Sequence, residues 1–189
     1  MTGSRLVAIF GSSRVEPGSP EWTAAEETGA ACARAGLGVV TGGYGGVMEA
    51  ASKGASLAGV TVVGVIAPAL FPSRSGANRY VDEVVVAESI AARIDTLTAM
   101  ALGIIVLPGS IGTAAELLVA WNINDIERRR GGARKPTVAV GPGWDELARL
   151  LADGMGAHLD EIETVATPVE AVTWLLAQPE ILGSSTAPI

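Results

Sequence analysis

The chain has 189 residues, a length that suits one domain, and 49% of them are apolar, enough for a sizeable core. Its 13 Lys and Arg against 20 Asp and Glu give a formal charge of −7. That balance argues against a general nucleic-acid binder, which needs a basic footprint, but permits a local positive pocket for one phosphate.

In chain order, residues 6–10 read as a buried strand ending in Gly11-Ser12-Ser13. The first residues lack the charged-then-apolar pattern of a secretory signal. Residues 21–35 read as a helix closed by Gly36. It carries Cys32, the single cysteine, amid alanines, where it reads as a small buried hydrophobe. Residues 38–41 form a second strand running into Gly42-Gly43-Tyr44-Gly45-Gly46, and 47–58 a second helix. A β-branched strand follows at 60–66. The stretch 67–80, with Pro68, Pro72 and Gly76, is an irregular loop long enough to be a functional flap.

A short strand is expected at 81–87. Ser89 can cap a helix to about Met100, and 103–107 is another buried strand. Residues 112–130 read as a long helix whose Arg128-Arg129-Arg130 end suits the negative end of its dipole. Strand 137–140, helix 144–152, a weak strand at 162–165 and helix 169–177 complete the pattern, with 183–189 as a tail. His158, the single histidine, falls in a loop. Strands alternating with helices predict an α/β protein, a Rossmann-like, doubly wound and mostly parallel sheet with helices on both faces, spanning 1–189 as one nucleotide-binding domain. No apolar run approaches the roughly 20 residues of a membrane span, so a cytoplasmic, membrane-free protein is expected.

Ligands of such sheets sit beyond the carboxyl ends of the strands. Three strand ends here are rich in small residues: Gly11-Ser12-Ser13, 42–46 and 109–113. Glycine permits close backbone approach, and a helix that follows aims free N–H groups at the same spot. Two loops share a spacing, Gly42-x-x-Gly45-x-x-x-Glu49 and Gly109-x-x-Gly112-x-x-x-Glu116. Side chains lean toward a helix N-terminus, so both glutamates are expected to lean toward the ligand crevice. Neither loop is a P-loop or a Gly-x-Gly-x-x-Gly fingerprint, which leaves out P-loop NTPases and NAD dehydrogenases of the usual kind. Arg93, at the edge of the stripe Ile94, Leu97 and Met100, is the first choice as cationic partner of an anion. The alternative is a surface pairing with Asp95 or Glu88. Arg14 and Arg74, on loops, are weaker choices. Trp22, Tyr44 and Phe71 are candidates to stack on a base, while Trp121 and Asn122 are open to either a pocket or a partner.

The segment from Pro108 to Glu116 resembles the P-G-G-x-G-T-x-x-E motif of the Lonely Guy (LOG) family, formerly "lysine decarboxylase-like". The segment from Thr41 to Ala50 resembles that family's second glycine loop, and 7–13 its opening strand and turn. The likeness spans about 6–151. Ser110 stands where the motif has its second glycine. Ile90-Ala91-Ala92-Arg93-Ile94 stands in place of M-H-x-R-K, and Glu49 in place of a glycine. These departures resemble a divergent bacterial subgroup related to molybdenum-cofactor carrier proteins.

The resemblance implies a homodimer and a nucleoside 5′-monophosphate phosphoribohydrolase, which releases free base and ribose 5-phosphate from substrates such as AMP without metal or cofactor. It assigns Glu116 to the sugar cation or the attacking water and Arg93 to substrate orientation. Gly109, Ser110, Gly112 and Thr113 would take the phosphate. Gly42, Gly43 and Gly45 would lie along ribose and phosphate, with Glu49 near the sugar hydroxyls, and Gly11 and Ser12 beside base or ribose. The alternative is a non-catalytic carrier or sensor of a phosphorylated ligand, a nucleotide or molybdenum cofactor. A structural protein with vestigial loops is a third reading.

Overall fold

The computed structural model describes residues 5–74 and 76–183. Strands β1 (Leu6–Phe10), β2 (Gly38–Thr41), β3 (Val62–Ile66), β4 (Glu83–Val86), β5 (Ala101–Val106), β6 (Thr137–Val140) and β7 (Glu163–Val165) form one seven-stranded sheet in the order β4-β3-β2-β1-β5-β6-β7. Every neighbouring pair is parallel. The chain therefore winds outward from β1 to β4, returns across the sheet and winds outward again from β5. The reversal falls between β1 and β5, the switch point at which such sheets open a crevice. Two bonds carry this pairing past the strand ends: Leu107 N donates to the Phe10 carbonyl (2.9 Å) and Ser12 N to that of Pro108 (3.2 Å).

Helices α1 (Pro20–Arg34), α2 (Val47–Ser56), α6 (Pro168–Leu176) and α7 (Pro179–Leu182) cover one face, and α3 (Ile90–Met100), α4 (Ile111–Arg130) and α5 (Pro142–Met155) the other. Strand alternation divides β1 between the two cores. Val7 and Ile9 pack with α1, α2 and α6, whereas Leu6, Ala8 and Phe10 pack with Leu97, Leu117, Trp121 and Trp144. Because both faces are covered, the inner strands read as continuous apolar runs. A Cβ on Gly29 would fall 2.1 Å from the Ala51 carbonyl oxygen, and one on Gly54 1.9 Å from that of Glu26, so these glycines let α1 and α2 touch backbone to backbone.

The structure bears out the doubly wound α/β expectation, with differences at element ends. The fifth strand begins at Ala101, because α3 steps straight into it. Helix α5 begins two residues before Trp144, at Pro142, whose fixed φ suits a first helical position. A 3-10 turn at Leu159–Glu161 and the short α7 are additions. From 184 onward the expected tail lies outside the described residues. Among those described, no helix is long and apolar enough to cross a membrane.

Candidate functional site

A cleft of about 170 Å³ opens at the switch point. Its walls are Phe10 at the end of β1, Gly11 and Ser13 after it, Gly42 and Met48 after β2, Phe71 and Arg74 from the 67–80 loop, and Ser110, Gly112 and Thr113 at the start of α4. Arg93 and Glu116 also line it. A larger hollow, about 380 Å³, lies at the opposite ends of β6 and β7. Its fully buried acid, Glu161, is already paired with Arg128 (2.8 Å) and Arg134 (3.4 Å), so it reads as a structural brace.

Arg93 is the fourth residue of α3, whose start is fixed by Ser89 Oγ accepting from Ala92 N (3.0 Å). Its side chain turns inward under the sheet ends and is 8% exposed. Nε donates to the Val65 carbonyl (2.8 Å) and Nη2 to that of Gly42 (2.9 Å), while Nη1 meets Glu116 Oε1 at 3.3 Å. The surface alternative is not what forms: Asp95 and Glu88 are both exposed, and the carboxylate paired with Arg93 is Glu116. Glu116 is 12% exposed. Burial pushes its carboxyl up to about 7, against the pull of Arg93. Burial also lowers Arg93, and the attraction of Glu116 offsets it only in part. Glu116 can therefore both hold and release a proton near neutrality.

The two glycine loops of equal spacing are not equivalent. Helix α4 begins at Ile111, inside its loop, whereas α2 begins at Val47, past the last glycine. Glu49 thus lies in the first turn of its helix and Glu116 in the second. The start of α2 is plugged: Val47 N donates to the Ser12 carbonyl (2.9 Å), and a Cβ on Gly46 would sit 2.4 Å from that oxygen. Gly46 and Gly43 hold φ of 70° and 75°, where a side chain is strained. Gly43 is pressed against Ile66 and Gly64. Gly42 makes room for the arginine, since its Cβ would fall 1.7 Å from Arg93 Nη2.

The start of α4 is open by contrast. Ser110 makes no side-chain capping bond, Ser110 and Gly112 are exposed, and a Cβ on Gly112 would meet nothing within 4 Å. Thr113 is buried beneath Gly109, whose Cβ would lie 2.2 Å from Thr113 Oγ1. The unpartnered first-turn amides therefore face the cleft, an anion-binding arrangement.

Of the residues singled out in the sequence, the cleft brings together Gly11, Gly42, Phe71, Arg74, Arg93, Ser110, Gly112, Thr113 and Glu116. Ser12, Gly43, Gly45, Glu49 and Gly109 stand behind or beside it. Ser12 binds backbone: its Oγ accepts from Arg14 N (3.1 Å). Glu49 leans back over Gly45, 3.9 Å from where a Cβ would be, and does not line the cleft. Gly109 turns toward Gly141 and Trp144. Ile9, Phe10, Ser13 and Met48 were missed. Ser13 belongs to the turn after β1 and Met48 to the first turn of α2, both next to predicted loops, and Phe10 ends β1, where ligands of such sheets sit.

Trp22 is buried and its Nε1 donates to Glu26 (3.1 Å), while Trp121 Nε1 donates to the His158 carbonyl (2.9 Å), so neither ring faces the cleft. Tyr44 sits behind the 67–80 loop, accepting from Ala67 N (2.8 Å). Cys32 is buried, and burial pushes its thiol up to about 12. Among the described residues, no group of three or more His, Cys, Asp or Glu side chains converges as metal ligands would.

Against known proteins, the profile of the SLOG cluster4 family (LDcluster4) matches residues 4–126. The sequence is 34% identical over 137 residues to the cytokinin riboside 5′-monophosphate phosphoribohydrolase of Mycobacterium tuberculosis, across 72% of this chain and 67% of that protein. The fold superposes on the molybdenum cofactor carrier protein of Chlamydomonas reinhardtii with a TM-score of 0.70 at 24% identity, covering 93% of this chain and 99% of the other. It also superposes on the molybdenum cofactor binding protein of the phototrophic bacterium Rippkaea orientalis with a TM-score of 0.71 at 20% identity, covering 91% and 95%. These two likenesses are of fold.

Proposed function

Because the chain belongs to the SLOG cluster4 family of LOG-like proteins, we propose that it is a nucleoside 5′-monophosphate phosphoribohydrolase, which cleaves the N-glycosidic bond of its substrate. The observation that carries this reading is the buried Arg93–Glu116 pair, 3.3 Å apart, in the cleft that also meets the open start of α4. The 5′-phosphate binds the amides of Ser110, Gly112 and Thr113, which sets the ribose above Glu116. In the reaction the C1′–N bond breaks and its electron pair leaves with the base, which also gains a proton. Water forms the new C1′–O bond and gives a proton to the Glu116 carboxylate, and that proton passes on to the departing base, so that Glu116 returns to its ionised form. That carboxylate also faces the positive charge that develops on the sugar. Arg93, tied to two carbonyls, fixes the carboxylate in place.

The test is chromatographic detection of free base from a panel of nucleoside 5′-monophosphates. Wild type is expected to release base, and Glu116→Gln to lose about 10²–10⁴-fold in kcat while still binding nucleotide. The kcat/KM profile, which reports the free protein, should fall on the acid side with an apparent pKa near 7, since the ionised form does the work. Equal turnover by Glu116→Gln would remove Glu116 from the mechanism.

The second reading, a non-catalytic carrier of a phosphorylated ligand, draws on the departures around Arg93 and on the two cofactor-protein folds. Tight nucleotide binding without base release by wild type would favour it.

A further inference from the structure

The cleft holds two arginines, and they are not alike. Arg93 has its donors committed to Val65, Gly42 and Glu116. Little of its hydrogen-bonding capacity remains for a ligand. Arg74 reaches the same cleft from the 67–80 loop and forms no ion pair among the described residues. Ring faces hold it instead: its guanidinium carbon lies 4.5 Å from the Tyr44 centroid and 4.4 Å from that of Phe71, whose rings meet edge to face. Aromatic faces orient a guanidinium without consuming its N–H donors.

The loop that carries Arg74 is anchored at both ends. Tyr44 Oη accepts from Ala67 N (2.8 Å), and Asn78 N and Nδ2 donate to the Gly43 carbonyl (2.7 and 3.2 Å). Between these anchors Arg74 N donates to the Phe71 carbonyl (3.0 Å). The cleft thus contains two guanidinium groups and one carboxylate, in a protein whose formal charge is −7. A spare guanidinium fork held within an anion cleft matches two oxygens of a phosphate monoester dianion.

Resting on the phosphoribohydrolase reading, we propose that Arg74 is the second anchor of the substrate's phosphate monoester, opposite the start of α4 and preset by Tyr44 and Phe71. It makes the site selective for a phosphorylated ligand over the corresponding nucleoside. Arg93 belongs to the carboxylate and Arg74 to the phosphate.

The test is calorimetric titration of the full chain with ribose 5-phosphate and with ribose, alongside the base-release assay. Arg74→Met keeps the packing on both rings but has no donors. Arg74→Lys keeps the charge without the fork. Equal melting temperatures establish that both variants fold. The expected result is a tenfold or greater loss of ribose 5-phosphate affinity in Arg74→Met, partial rescue in Arg74→Lys, and no change toward ribose. In turnover, KM for a nucleoside monophosphate should rise tenfold or more while kcat changes less than threefold. Unchanged affinity in Arg74→Met overturns the assignment, as does failure of wild type to bind ribose 5-phosphate. Wild-type binding that depends on Arg74 but brings no base release leaves the assignment standing and overturns the hydrolase reading alone.

Discussion

The loops after β2 and β5 have the same spacing of two glycines and a glutamate, yet they do opposite work. The β2 loop is closed on itself. Its glycines are pressed against Ile66, Ser12 and Arg93, and its first helical amide is bonded to the Ser12 carbonyl. The β5 loop is open, with an uncapped helix start and bare space above Gly112. The difference comes from where each helix begins relative to its loop. A helix that starts at Ile111 carries Glu116 one turn in, beside Arg93, whereas one that starts at Val47 leaves Glu49 in the first turn, over its own loop. On the proposed reading the β2 loop supports the cleft it borders, and the β5 loop meets the ligand.

The largest effect should come from the scaffold loop. In Gly42→Ala the new Cβ and Arg93 Nη2 cannot both keep their places. Expelling Arg93 would leave Glu116 buried without its cation, and breaking such a pair costs about 3–5 kcal/mol. Denaturant unfolding should show a loss of that order, with base release abolished. A variant that melts like wild type would mean the β2 loop yields without cost.

Next in size is a pH effect carried by the site loop. Folded Glu116 titrates near 7, above the ordinary 4.5. Between those values the folded chain keeps a proton that the unfolded chain has lost. This contribution is full below about pH 4.5 and disappears as the pH rises through 7. Each pKa unit corresponds to about 1.4 kcal/mol. Unfolding followed from pH 5 to pH 8 should show a decline that Glu116→Gln flattens. Parallel pH curves for the two proteins would refute the burial argument.

The parallel sheet and its covering helices follow from features visible in the chain, namely apolar runs of strand length separated by helical stretches and glycine turns, whereas the order of the strands comes only from the fold. Arg93 was legible as a partly buried cation in need of an anion, and Glu116 as the carboxylate of the β5 loop, but only the fold pairs the two. The place of Glu49 was not legible, since equal spacing says nothing about the residue at which a helix starts. That choice depends on tertiary contacts, here the Ser12 carbonyl that occupies the amide of Val47. Arg74 was underrated for a similar reason. A loop arginine is usually solvated, and only the fold brings Tyr44 and Phe71 to either side of it.

The smallest effects give the sharpest contrast between the loops. Gly112→Ala places a methyl group in open space within the first turn of α4, where alanine is favoured over glycine by about 0.5–1 kcal/mol. The free protein should gain up to that amount of stability while ribose 5-phosphate binds more weakly, because the methyl group occupies the ligand's side of the loop. Unweakened binding would place the phosphate elsewhere. Glu49→Gln should do less still. It removes a charge near the positive end of α2, about 0.5 kcal/mol of stability, and should leave kcat within threefold. If Glu49→Gln cripples base release as Glu116→Gln does, then α2 supplies chemistry as well as support, and the division between scaffold loop and site loop fails.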